Sequence, residues 1–195
     1  GIALSVAAAF PADLDRPADT IAMLRALDWL SGREVAVINF SLSGPRNDIV
    51  GEALTGLDEA GVTLVAAVGN GETGTAVRFP ATHPAVLGVT AVGPDGAVLA
   101  VAAQGPAVDL AAPGIAVPTL GAGGQPIRAT GTSFAAPFAT AAAALLALEG
   151  RAPAEIRQRL AAASRDAGAP GRDDVYGHGT LVAPGCADAA FSRRP

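Results

Sequence analysis

Gly131-Thr132-Ser133-Phe134-Ala135-Ala136-Pro137 places a turn-forming glycine, a serine and a proline directly before the apolar stretch Phe138 to Leu148. The pattern predicts a helix whose first turn holds both Ser133 and Pro137, the proline being tolerated because its missing N–H has no helical partner there. Free N–H groups and the positive end of the helix dipole favour negative charge at that point. A serine so placed suits nucleophilic attack on a carbonyl carbon. The same residues also fit a capped, buried helix in which Ser133 only bonds neighbouring N–H groups.

A second candidate follows the apolar run Val62 to Val68, which breaks at Gly69-Asn70-Gly71-Glu72. Attack on an amide carbonyl moves negative charge onto its oxygen, and the Asn70 side-chain amide is a donor able to stabilise it. Gly-Asn-Gly is equally a common turn sequence. The shorter run Val35 to Phe40 ends in Ser41-Leu42-Ser43-Gly44-Pro45. Both runs lack polar alternation, as expected of strands buried on both faces in a parallel sheet. Ligands in open α/β sheets bind beyond the carboxyl ends of the strands, which is where Ser41 and Asn70 lie.

The elements that must hold these residues alternate. Pro17 to Leu30 carries apolar residues at helical spacing, with Asp19 and Thr20 near its start. A strand over 35–40 follows, then a helix from Asp48 to Ala60 ended by Gly61, and a strand over 62–68. Val86 to Val92 reads as another strand, Gly93 to Gly96 as a hairpin turn, Gly121 to Pro126 as a surface turn, and Pro153 to Leu160 as a last helix. Strand-helix alternation implies parallel pairing. The fold class is therefore α/β, a mostly parallel sheet with helices on both faces.

The serine segment resembles the nucleophile motif Gly-Thr-Ser-x-Ala-x-Pro of the subtilisin-like serine proteases. Val37-Ile38-Asn39-Phe40-Ser41-Leu42-Ser43-Gly44 is similar to that family's Val-Ile-Asn-x-Ser-Leu-Gly-Gly strand end, with Ser43 standing where glycine is usual. Phe79 to Val92 and Val108-Asp109-Leu110-Ala111-Ala112-Pro113-Gly114 resemble further family segments in the same order. The resemblance implies an endopeptidase acting through an acyl-enzyme at Ser133, with Asn70 holding the oxyanion. It further implies that Ser41, Leu42, Ser43 and Gly44, with Ala67, Val68 and Gly69, line the substrate cleft. A β-carbon at Ser43 would narrow that cleft or restrict its backbone. The substrate expected is a peptide or protein, and a secreted or cell-envelope location is implied by the family alone.

The family's catalytic aspartate and histidine precede the matched strands, so the resemblance implies that both lie upstream of Gly1. The chain then reads as a partial peptidase domain over 1–195, N-terminally truncated, with a loose tail after Ala190. Its partner would be the missing N-terminal part of the same domain, and taken alone it is expected to be inactive. Gly1 to Phe10 looks like the strand that follows the histidine's helix. Tyr176-Gly177-His178-Gly179-Thr180 imitates the family's histidine motif but aligns better with the segment that closes the domain. A peptide-binding homologue without catalysis is the alternative, although it has no need of Ser133 and Asn70. No cofactor is assigned; the family often binds calcium in loops, yet no metal-ligand spacing appears here.

Composition excludes other classes. Half of the 195 residues are hydrophobic and the mean hydropathy is +0.39, enough for a sizeable core. A net charge of -5 gives no nucleic-acid signal. The longest apolar run is too short to span a bilayer. The single cysteine, Cys186, excludes an internal disulfide framework. All 13 basic residues are arginine.

Overall fold

A computed structural model describes residues 2–10, 19–72 and 74–182. Helix α1 (Thr20–Ser31) starts at Asp19, whose carboxylate accepts from the Ala22 N–H at 2.6 Å. Strand β1 (Val37–Phe40) leads to α2 (Asp48–Glu59), capped by the Asn47 side chain on the Val50 N–H at 3.1 Å. Gly61, at φ +92, turns the chain into β2 (Thr63–Ala67). There follow β3 (Val86–Val92), β4 (Leu110–Pro113), the hairpin strands β5 (Val117–Leu120) and β6 (Pro126–Ala129), then α3 (Thr132–Leu148) and α4 (Pro153–Ala163).

The main sheet has the order β1-β2-β3-β4, every pair parallel, with Asn39 beside Val65, Ala66 beside Gly88 and Thr90 beside Ala111. Strands β2 and β3 are buried along their whole length, which is why their sequences lack polar alternation. Side chains of one face, among them Ile38, Phe40, Leu64 and Val68, pack on Leu27 of α1 and on Val50, Leu54 and Leu57 of α2. Those of the other, Val65, Ala67, Val89, Ala91, Leu110 and Ala112, meet Ala135, Ala136, Ala139 and Ala143 of α3 and Ile156 and Leu160 of α4. Helices thus cover both faces, as expected.

Two local expectations need adjusting. Residues 2–10 form no strand: Ile2, Leu4, Val6 and Phe10 are exposed, and the segment pairs with no described strand. The turn at Gly93 to Gly96 forms, closed by the Gly93 N–H on the Ala97 carbonyl at 2.9 Å, but beyond it only a Val92–Val98 bridge pairs. The turn read at Gly121 to Pro126 joins β5 to β6. Pro17, Cys186 and the tail after Ala190 lie outside the described residues.

Gly114 joins the sheet to the start of α3. Its N–H donates to the Val92 carbonyl at 3.0 Å, and its own carbonyl accepts from the Gly131 N–H at 2.9 Å. A methyl group there would stand 2.5 Å from the Ala91 Cβ and 2.9 Å from the Gly131 carbonyl oxygen. Gly114→Ala is therefore expected to destabilise the fold by about 1–3 kcal/mol, as overpacking does. Chemical denaturation would show this as a lowered midpoint at unchanged slope; an unchanged midpoint would mean that the contact relaxes freely.

On its outer side α3 leaves Phe134, Phe138, Leu145 and Leu148 exposed in a stripe at helical spacing. Among the described residues, the outer edge of β1 carries no partner strand.

Candidate active site

Gly131 precedes α3, and the first three helical residues are Thr132, Ser133 and Phe134. Ser133 is half-buried, and its hydroxyl donates to the Ser41 carbonyl at 3.3 Å. Pro137 falls deeper in the helix than its sequence pattern suggests. An N–H at residue 137 would have bonded the Ser133 carbonyl four residues back. That carbonyl instead accepts from the Ser41 hydroxyl at 2.8 Å. The proline is thus tolerated because a side chain from another element supplies the donor.

Asn70 follows β2 and comes against the same turn. Its Oδ1 accepts from the Thr132 N–H at 3.1 Å, which fixes the orientation of the amide. Its Nδ2 then faces Gly131, 3.5 Å from the point where a β-carbon of that glycine would stand. The Ser133 nitrogen is 3.9 Å from that same point. Two N–H donors from separate elements therefore border one small space beside the serine. A glycine at 131 keeps it open.

The segments after β1 and β2 form two walls. Ser41 and Ser43 are exposed, while Leu42 packs against the core. Gly44 donates its N–H to the Phe79 carbonyl at 2.8 Å. Ala67 and Val68 are buried at the end of β2, and Gly69 turns at φ +100. The Ser43 hydroxyl oxygen lies 3.3 Å from where a Gly69 β-carbon would be, so its side chain occupies the gap between the walls. Beside Leu42, Ser43 and Gly44 opens a pocket of about 340 Å³ whose apolar lining includes Met23, Phe40 and Phe79. Asn39, read in the sequence only as part of a strand end, and Thr140, which the sequence did not single out, also belong to this neighbourhood: the Thr140 hydroxyl donates to the Asn39 Oδ1 at 3.0 Å.

Neither histidine joins the serine. His83 packs on α2, 3.5 Å from the Thr55 hydroxyl, and burial followed by the nearby Arg46 charge holds it below its ordinary pKa. The His178 N–H donates to the carbonyl of Asp109, which precedes β4, whereas Ser133 meets segments following β1 and β2. His178 therefore sits at the amino end of the parallel strands, opposite the serine. The glycines around it answer a packing need: Gly177 presses on the Asp109 backbone and Gly179 on Arg165, both at positive φ. His178→Ala, at an exposed position, is expected to leave the fluorophosphonate reactivity of Ser133 in the full-length protein within about twofold. A large loss with the fold retained would bring His178 into the site. Among the described residues no three His, Cys, Asp or Glu side chains gather to hold a metal. Nor is any described helix long and apolar enough to cross a membrane.

A serine at a helix start thus faces an asparagine amide at the carboxyl ends of a parallel sheet in an α/β fold. Residues 2–179 match the family model Peptidase_S8, and the chain belongs to the subtilase family. It is 32% identical over 175 residues to "Minor extracellular protease Epr" of Bacillus subtilis, covering 87% of this chain and 27% of that protein. It is 31% identical over 165 residues to "Thermostable alkaline protease" of Halalkalibacterium halodurans, covering 82% and 44%. Among solved structures, that of the Patellamide maturation protease PatA superposes with a TM-score of 0.77 at 27% identity, over 93% of this chain and 72% of that one. The chain thus spans less than half the length of these two curated relatives.

Proposed function

We propose that the protein containing this chain is a serine endopeptidase that cleaves peptide bonds through an acyl-enzyme on Ser133. The observation that carries this reading is the space shared by the Asn70 Nδ2 and the Ser133 N–H. As the serine oxygen adds to a carbonyl carbon, the carbonyl oxygen takes up negative charge and needs donors already in place. The start of α3 adds a favourable dipole. A peptide would lie between the walls Ser41 to Gly44 and Ala67 to Gly69, with an apolar side chain directed into the pocket beside Leu42.

The serine proton must go to a base. A main-chain carbonyl such as that of Ser41 accepts a hydrogen bond but takes no proton at neutral pH. We assign the base and its orienting carboxylate to parts of the protein outside this chain. Since neither histidine lies beside Ser133, a homologue that binds peptides without cleaving them remains the second reading. The name of the Bacillus subtilis relative, an extracellular protease, supports a location outside the cytoplasm.

The deciding experiment treats the full-length protein with a fluorophosphonate and maps the adduct by mass spectrometry. Labelling on Ser133 together with peptide hydrolysis is expected. Peptide binding without either would establish the second reading.

A further inference from the structure

Ser41 and Ser133 bond each other reciprocally. The Ser41 hydroxyl donates to the Ser133 carbonyl at 2.8 Å, and the Ser133 hydroxyl donates to the Ser41 carbonyl at 3.3 Å. A hydroxyl has one proton, so with its own committed to Ser133, Ser41 is left free to accept. It accepts from the Asn39 Nδ2 at 2.9 Å. The other end of that amide accepts from the Thr140 hydroxyl at 3.0 Å, which has the Ala136 carbonyl at 3.0 Å as an alternative acceptor within its own helix. Donor and acceptor senses agree along the whole series, from the third turn of α3 through the end of β1 and back to the nucleophile's main chain.

Pro137 explains what the series replaces. With no N–H at residue 137, α3 cannot satisfy the Ser133 carbonyl, and a carbonyl deprived of a partner is costly. We propose that Ser41 is a positioning residue: with Asn39 and Thr140 it forms a polar latch that replaces the helix bond missing at Pro137 and ties the nucleophile turn to the strand end bordering the cleft. The kinetic consequence rests on the reading of Ser133 as nucleophile; the structural one does not. The latch lets the serine be registered against the cleft wall directly, not only through the helix that carries it.

The test is a double-mutant cycle in the full-length protein. Pro137→Ala restores an N–H that the Ser133 carbonyl can use within the helix, so it removes the need for Ser41. Ser41→Ala alone is expected to lower kcat by about 10–100-fold with KM little changed, the scale on which small misplacements of reacting groups act. It should also speed amide hydrogen exchange in the segment 131–140. Ser41→Thr, which keeps the hydroxyl, should restore both. In the Pro137→Ala background, Ser41→Ala should change kcat by no more than about threefold and leave exchange unaltered, the signature of coupled residues. An equal loss in both backgrounds, or an effect on KM alone, would overturn the latch and make Ser41 a substrate contact. Should the protein lack peptidase activity, the endopeptidase reading fails, while the exchange arms of the same cycle still decide the latch.

Discussion

Full-length protein carrying Ser133→Ala is expected to lose peptide hydrolysis by at least about 10⁴-fold, because nucleophile and base act as a unit and only donor and binding contributions survive. Its stability should change by no more than about 0.5 kcal/mol, since the half-buried Ser133 side chain makes a single long hydrogen bond. Steady-state turnover and a denaturation curve on the same preparation separate the two effects. Turnover kept at the parent level by a folded Ser133→Ala protein would remove this serine from the chemistry.

Asn70→Ala is expected to lower kcat by about 10²–10³ with KM nearly unchanged, the size of loss measured when a subtilisin is deprived of its oxyanion donor and carried over here on the shared geometry. The amide has two duties in this structure, however. Its Oδ1 holds the Thr132 N–H at 3.1 Å while its Nδ2 faces the space by Gly131. Asn70→Asp keeps the first and abolishes the second, so it should retain the helix start and still lose at least as much turnover as Asn70→Ala. Rates determined with kcat and KM resolved would check this. A loss confined to KM would assign Asn70 to substrate binding.

Strands β1 to β3 could be read from continuous apolar runs, as at Val62 to Val68, where the observed strand is Thr63–Ala67, whereas the short β4 and the order of the sheet could not. Ser133 was visible because glycine, hydroxyl residue and long apolar helix come together in a few adjacent positions. Strands β5 and β6 were not visible: they are short, exposed and interrupted by Pro118 and Pro126, so burial imposes no pattern on them. Residues 2–10 mislead in the opposite sense, because their likeness to a family segment invites a strand whereas a ladder needs a neighbour. The hydrogen bonds around Ser41 were beyond reach for another reason. They join Ser41 to Ser133 across 92 positions and Asn39 to Thr140 across 101, between residue types common at any surface. Only the topology brings them together.

The seat of α3 on the sheet has a further meaning in terms of side-chain motion. Ala135, Ala136, Ala139, Ala142 and Ala143 form most of the buried side of this helix. Alanine has no χ rotamers, so burying these residues costs no side-chain conformational entropy. It also leaves the helix side of the interface no alternative rotamer with which to repack. Only Leu146, well beyond Ser133, adds a long flexible side chain to that buried side. Side-chain hopping at this seat is thus left to the sheet residues Val65, Val89 and Leu110, while the helix beneath the serine contributes none along its alanine face.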